Sequence, residues 1–443
     1  MYSNLTTDKN ITKSLLIFSL PMILGNILQQ FYNIVDTWVV GKYVGSEALA
    51  SVGASYTLMT FLNSVFIGLC MGSGALFAYY FGSKNYHKMK NCMDTAFVFI
   101  GGISIVLTIF VKAALPFILW FLRIPNELQS MTSEYLSVIC LGIIFVFLYN
   151  YFAYLMRSIG NSVIPLIFLA AASVLNIILD LWFVIGLGWG LKGTAIATVI
   201  AQAVSSISLG IYTYWTKSEF RFSVKEFFKQ DKPIKEILQF STITCAQQSV
   251  MNFGILMVQG LVNSFGTNVM AAFAAAVKID TIAYMPAQEF GNAYSMFVSQ
   301  NFGAKKKERV RKGTRSAFVT SAGFCIFISA LVFVLSEQLM KIFINEKEIG
   351  IIHIGVDYLR IEGAFYVGIG ILFLLYGYFR GINRPGISLL LTVLSLGTRV
   401  VLAYSLASIT SIGVYGIWWS IPIGWAIADV VGIYIMKKKG RRK

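Results

Sequence analysis

The sequence predicts an all-α polytopic membrane protein with twelve transmembrane helices in two six-helix bundles related as parallel repeats. Three observations support this prediction: long uncharged blocks, basic residues that favour alternate loops, and short motifs that recur in both halves of the chain. Of the 443 residues, 57% are hydrophobic and 13% are charged. The charged fraction is about half that of an average soluble domain.

The uncharged blocks are long enough to cross a bilayer. Stretches such as Ala48–Ser83, Ile237–Val277 and Val400–Ala428 exceed the ~20 residues that a helix needs to span about 30 Å of hydrocarbon. The polar start of the chain gives no sign of a cleavable signal peptide. The predicted spans lie near residues 14–40, 46–80, 93–114, 133–155, 162–186, 192–215, 235–264, 268–300, 316–337, 351–378, 386–408 and 413–436.

The net charge of +16 comes from basic residues whose positions along the chain match a membrane topology. Most lysines and arginines lie at the termini and in the loops after even-numbered predicted spans, with the densest runs at Lys305–Arg315 and Lys437–Lys443. This distribution is the positive-inside pattern, which predicts that both termini are cytoplasmic. The basic residues therefore indicate topology and contact with anionic lipid, and no nucleic-acid partner is expected.

Short motifs recur at a nearly constant spacing of 221 to 223 residues. The recurring pairs are Phe81–Lys84 with Phe302–Lys305, Gly45 with Gly266, Tyr135 with Tyr358, Arg157 with Arg380, and Gly190 with Gly413. They predict an N-terminal six-helix lobe at 1–215, an amphipathic cytoplasmic linker at 216–233 and a C-terminal six-helix lobe at 234–443. An even number of spans in each half makes the repeats parallel, as in some secondary transporters. Because a single chain contains both halves of the repeat, we expect a monomer to be sufficient for function.

Sequence motifs for enzymatic chemistry are missing. The chain contains no G-x-x-x-x-G-K-[ST] phosphate-binding loop, no H-E-x-x-H and no G-x-S-x-G. We therefore expect a protein that is not an enzyme and carries no cofactor.

Two acidic residues of the first half, Asp36 and Asp180, lie inside long uncharged stretches and have no acidic counterpart in the second half. Asp36 is the only charged residue between Ser14 and Gly41, and a charged side chain at a helix centre costs roughly 2.5–3.5 kcal/mol on insertion scales. Asp180 lies in the fifth predicted span. The repeat places the uncharged residues Met257 and Ala403 at the corresponding positions, so the two-fold architecture does not require these acids.

Polar residues that could complete a site accompany the acids. Asn176 is one helical turn from Asp180 and shares its face; Thr198 is placed to face the same helix, and Asn150 and Tyr135 lie in the fourth predicted span. Carboxylate, amide and hydroxyl oxygens suit a small hard cation or a proton. The sequence therefore predicts an exchangeable H⁺ or Na⁺ site, although either acid could instead extend to the membrane interface.

The second half carries a different set of charges. The sequence predicts a paired polar network at or near the central cavity. Its role is either structural pairing, or gating or substrate recognition. Its members are Lys278, Asp280, Glu289, Glu362 and Arg399.

The twelve spans, the repeat and the motif P-x₇-QQ-x-Y-N-x-x-D-T-x-x-V-G, from Pro21 to Gly41, resemble the multidrug and toxic compound extrusion (MATE) family along essentially the whole chain. The similarity is greatest to bacterial members related to the MepA and YoeA exporters, which implies the bacterial inner membrane. It also implies export of cationic amphiphilic compounds, including antibiotics, in exchange for inward-flowing H⁺ or Na⁺.

The resemblance also implies roles for particular residues. Asp36, Asn176, Asp180 and Thr198 match the family's cation-binding positions, with Asn150 and Tyr135 beside them. Pro21 matches a proline about which the first helix bends in some members. One departure is the seventh span, where some members carry a cation-binding glutamate and this chain has Gln247 and Gln248.

The alternative function is a flippase for lipid or lipid-linked oligosaccharide with a related architecture. A flippase for an anionic diphosphate lipid needs a cationic cavity, whereas basic residues deep in the predicted spans are few. A membrane-embedded transferase is disfavoured because no catalytic constellation is found.

Overall fold

The computed structural model describes residues 5–121, 124–216 and 233–441. These residues form a chain of α-helices joined by short turns. The helices are α1 Ile11–Val39, α2 Ser46–Gly82, α3 Tyr86–Ala113, α4 Leu115–Phe121, α5 Asn126–Leu141, α6 Ile143–Ser158, α7 Val163–Leu181, α8 Gly190–Thr216, α9 Ile234–Asn263, α10 Thr267–Gly303, α11 Lys307–Lys341, α12 Ile349–Gly363, α13 Tyr366–Gly381, α14 Pro385–Ala407 and α15 Tyr415–Arg441. The predicted linker at 216–233 lies almost wholly outside the described residues.

The fold class predicted from the sequence is confirmed. Within the described ranges, ten helical segments are long and apolar enough to cross a membrane, and α12 with α13, bent by 51° at their junction, would make an eleventh. Helix α9 occupies the position of the seventh predicted span. Its 30 residues are long enough, but the threonines, glutamines and asparagines along it lower its hydropathy.

The backbone repeats the spacing seen in the sequence motifs. Helices α2 and α10 both contain 37 residues, and each follows a glycine with positive φ, Gly45 at 121° and Gly266 at 97°. Each helix ends in the same kind of turn, because Lys84 and Lys305 both have φ 58°. A left-handed conformation is uncommon for lysine, so its presence at both positions is strong evidence for a structural repeat.

The described chain divides into two compact units. Within the described ranges, one unit runs from Leu20 to Cys245, and the other combines residues 5–19 with residues 246–441. These units differ from the predicted lobes at two helix starts: the beginning of α1 groups with the second unit, and the beginning of α9 groups with the first.

Each unit has its own apolar core. In the first unit a cluster around Ala48, Leu136 and Ala195 joins α2, α5 and α8. In the second unit the rings of Phe273 and Trp418 stack with centroids 5.5 Å apart, and both side chains are fully buried.

Close packing of α2 against α9 within the first unit leads to a stability prediction. A Cβ atom at Gly72 would lie 2.4 Å from the carbonyl oxygen of Phe240, a main-chain atom that cannot move aside cheaply. Gly72→Ala should therefore destabilise the protein by about 1–3 kcal/mol, measured as a lower unfolding temperature in detergent. Gly53, on the same helix, has open space around it, and Gly53→Ala should cause no such loss. Equal behaviour of the two variants would contradict this packing.

Candidate ion and substrate site

The two acids of the first unit lie near one end of their helices. Asp36 is in α1 and Asp180 in α7, and each helix continues directly into a π-helical segment, Val40–Val44 and Trp182–Gly186. These are the two π-helical segments of the described chain. Single π-helical turns are rare and often occur at functional sites.

The Asp36 and Asp180 carboxyl groups lie within hydrogen-bonding range of each other. Asp180 is fully buried, and its two carboxyl oxygens, with Oδ1 of Asp36, have no donor within the described structure. Two ionised carboxylates are both acceptors, so their contact becomes a hydrogen bond only when one of them carries a proton. The pair is therefore short of a proton or a cation.

No basic side chain in the described residues compensates this pair. The charged groups that act on Asp36 and Asp180 are the two acids themselves, and the described salt bridges lie elsewhere. A buried charge without a partner is strongly disfavoured, so a state with both carboxyl groups ionised and no cation beside them is unfavourable.

The predicted polar partners lie on neighbouring helices. Asn176 is 2% exposed; its Nδ2 donates weakly to Oγ1 of Thr198 at 3.5 Å, and its buried Oδ1 has no donor. Tyr135 is buried within electrostatic range of both acids. Asn150 donates to the main-chain oxygen of Val146 at 2.8 Å, so its amide oxygen is left for other interactions.

A cavity of about 110 Å³ adjoins this site within the first unit. The acids do not line it, but Tyr32 and Asn176, each four residues before one of the acids, do. The polar lining consists of Gln29, Tyr32, Asn63, Tyr149, Asn150, Ser173, Asn176, Thr198, Gln202 and Ser205, with apolar side chains such as Ile67, Phe145 and Leu169 between them. The cavity thus has an amide- and hydroxyl-rich surface within one helical turn of the carboxyl pair.

Three of the five charged residues predicted in the second half come together. Asp280 and Glu362 are buried and lie within hydrogen-bonding range of each other. The hydroxyl of Tyr366 donates to Oδ1 of Asp280, and Arg399 is within electrostatic range of Glu362. Unlike the pair in the first unit, this acid pair has a buried cation beside it.

The other two residues of the predicted network lie apart from this cluster. Lys278 is exposed, with its Nζ 6.0 Å from the ring centroid of Phe343. Oε1 of Glu289 accepts from Nδ2 of Asn292, nine residues along α10 from Asp280. The described contacts thus bring together Asp280, Glu362 and Arg399, while a functional role for Lys278 and Glu289 stays a prediction.

Sequence reasoning missed two residues, one near the acid pair of the first unit and one in the second unit. Tyr32 lies within electrostatic range of Asp36 and Asp180 and could have been found from its one-turn spacing to Asp36 in the same motif. Asp429 is a buried acid of α15, and its Oδ1 has no donor in the described structure. The test applied to Asp36, a lone acid in an apolar span, would have identified Asp429.

The helical spans and the internal repeat define a polytopic α-helical protein of the membrane-transporter class. Residues 21–182 and 243–405 each match the model of the MatE family, so the chain belongs to the MatE family. Members of this family are transporters, which confirms that the chain is not an enzyme.

Relatives and solved structures agree along nearly the whole chain. The chain is 27% identical to the probable multidrug resistance protein YpnP of Bacillus subtilis, over 91% of this chain and 89% of the relative. It is 26% identical to the probable multidrug resistance protein YoeA of the same organism, over 97% and 95%. A crystal structure of MATE in the bent conformation superposes with a TM-score of 0.91 at 22% identity, covering 98% of this chain and 96% of that chain. The family resemblance seen in the sequence is thereby confirmed.

Proposed function

We propose that this multi-pass membrane protein is a multidrug efflux antiporter that exports cationic amphiphilic compounds in exchange for H⁺ or Na⁺. The observation that carries the proposal is the Asp36–Asp180 pair: Asp180 is fully buried, no basic side chain of the described residues compensates the pair, and a polar cavity lies one helical turn away. The names of relatives such as YpnP and YoeA agree with drug efflux.

The acid pair supplies a simple exchange chemistry. The state in which both carboxyl groups are ionised and dehydrated is unfavourable because the two negative charges repel each other. A proton shared between them, or a bound Na⁺, reduces this repulsion. Oxygens of Asn176 and Thr198 are placed to complete a Na⁺ site, since hard cations prefer carboxylate, amide and hydroxyl oxygens. Pro21 lies within the continuous helix α1. We propose that α1 bends about Pro21 during this exchange cycle.

The adjoining cavity provides a place for the exported compound. Aromatic and aliphatic side chains such as Phe145 and Ile67 can contact an apolar body, and amides can orient its polar groups. An organic cation near the acid pair is favoured when the pair is ionised and disfavoured when a proton or Na⁺ is bound. Each ligand then weakens the other by the same factor, as thermodynamic linkage requires.

Transport in everted membrane vesicles tests the proposal. Ethidium should accumulate inside the vesicles when a proton gradient or a sodium gradient is imposed separately, and the gradient that drives accumulation identifies the coupling ion. Failure of both gradients to move ethidium or a fluoroquinolone, together with movement of a labelled lipid, would contradict antiport and support a flippase.

Asp180→Asn provides a residue-level test of the exchange chemistry. Removing one of the two carboxyl charges should change the affinity for the coupling ion by about tenfold, the effect of ~1.4 kcal/mol. The measurement is transport rate against pH and against Na⁺ concentration. Glu134→Gln, which removes an exposed acid of the same unit, is the matched control, and identical ion dependence in both variants would contradict a role for Asp180.

A further inference from the structure

The beginning of the chain has contacts that the proposed transport cycle does not yet use. Residues 5–19, here called the N-terminal anchor, belong to the second compact unit, whereas the remainder of α1, with Asp36, belongs to the first. Helix α1 is continuous from Ile11 to Val39, so the anchor and the residue Asp36 belong to one helix.

Three polar side chains of the second unit hold the main chain of the anchor. Arg309 donates from Nε to the oxygen of Leu5 at 3.1 Å and from Nη1 to the oxygen of Asp8 at 2.7 Å. Asn301 Nδ2 also donates to the oxygen of Leu5 at 3.1 Å, and Lys306 Nζ donates to the oxygen of Thr6 at 2.8 Å. Hydrogen bonds to main-chain carbonyl oxygens hold the backbone in place and do not depend on which side chains the anchor carries.

Further contacts extend the docking along α1. The hydroxyls of Thr12 and Ser316 are 2.7 Å apart, and Ser14 donates to the carboxylate of Asp8 at 2.9 Å. Leu5, Leu15 and Phe18 are each 1% exposed. Burial of these three large apolar side chains stabilises the folded arrangement of the anchor.

The repeat supplies an independent parallel in the first unit. Tyr80 stands 221 residues before Asn301, and its hydroxyl donates to Oε2 of Glu236 at 2.6 Å, in the first turn of α9. The beginning of α9 likewise groups with the first unit, while its remainder groups with the second. Tyr80, near the end of α2, thus contacts the start of α9, the first helix of the second repeat. Asn301, at the corresponding position of α10, contacts the segment that leads into α1, the first helix of the first repeat.

We propose that Arg309 and Asn301 form a built docking site for the N-terminal anchor, which holds the start of α1 on the second unit throughout transport. Arg309 is a positioning residue here, since it acts on the acid pair only through α1. The link to transport depends on the proposed function, whereas the docking itself does not.

Disulfide trapping between Thr12→Cys and Ser316→Cys measures the docking directly. Oxidation with copper phenanthroline joins the two thiols as Sγ–Sγ with loss of two protons and two electrons to the oxidant. Cross-linking should be fast, and Arg309→Ala should slow it about tenfold because charged hydrogen bonds are lost. Arg311→Ala, which removes an exposed neighbouring charge, should leave the rate unchanged. Equal rates in the two alanine variants would overturn the proposal.

Transport by the cross-linked protein distinguishes an anchor from a latch that must open. A permanent anchor predicts that the oxidised double-cysteine variant transports ethidium at the rate of its reduced form, while Arg309→Ala transports several-fold more slowly. Loss of transport on oxidation, restored by reductant and absent from either single-cysteine variant, would overturn the proposal. If Arg309→Ala does not fold, Asn301→Ala removes a single anchor contact and replaces it in both measurements. Absence of transport in the unmodified protein would overturn the proposed function but leave the cross-linking result valid.

Discussion

Asp36→Asn is expected to abolish gradient-driven export of ethidium, with a loss of about 100-fold or more, equivalent to ~2.7 kcal/mol. Asparagine keeps the size and the polar character of the side chain but can neither take up a proton nor neutralise a cation. The variant should insert and express normally, because it removes a costly buried charge. The measurement is the initial rate of ethidium uptake by everted vesicles under each imposed gradient.

The control for Asp36→Asn is Glu134→Gln. Glu134 is an acid of the same unit that is exposed and pairs with Lys192 at 2.9 Å. It should transport at the unmodified rate, since surface ion pairs contribute little. Full efflux by Asp36→Asn would mean that the acid has no part in coupling.

Arg399→Ala is expected to have the largest effect on stability. Arg399 is a buried cation within electrostatic range of Glu362, and its removal leaves that acid without a nearby cation. Deleting one partner of a directly bonded buried ion pair costs about 3–5 kcal/mol, and we expect about 3 kcal/mol here because Arg399 acts over a longer range than a direct salt bridge. The expected result is a markedly lower unfolding temperature in detergent and a lower yield of folded protein.

Two further variants separate charge compensation from a general effect of losing an arginine. Adding Glu362→Gln to Arg399→Ala should recover much of the lost stability, because one uncompensated acid is then neutral. Arg360→Ala removes an exposed arginine that lies over the ring of Phe333 and should cost far less. Failure of Glu362→Gln to rescue, with equal losses in both arginine variants, would contradict the electrostatic role of Arg399.

Much of the fold could be predicted because the bilayer imposes simple constraints. Length and hydropathy predict the positions of the spans. The recurrence of Phe81–Lys84 at Phe302–Lys305 predicts the internal repeat, and the left-handed turns at Lys84 and Lys305 show the same repeat in the backbone. The break of the predicted tenth span into α12 and α13 could not be predicted, because no proline marks it. The docking of residues 5–19 was likewise hidden, since it depends on main-chain carbonyls, which every residue carries.

The candidate site was predicted in part. Asp36 and Asp180 could be singled out because an acid in an apolar span needs an explanation, and helical spacing placed Asn176 beside Asp180. The π-helical segments after both acids have no simple sequence signal. In the second half, the sequence could not show which of the five charged residues cluster, because that depends on how α10, α12 and α14 pack against one another.

Ion release on drug binding is the most direct test of the acid pair. Purified protein in lightly buffered detergent solution should release protons, followed with a pH-sensitive dye, or displace radioactive Na⁺ when ethidium binds. The release should be lost in Asp36→Asn and retained in Glu134→Gln. Ethidium binding that releases neither ion from the unmodified protein would contradict exchange at the carboxyl pair.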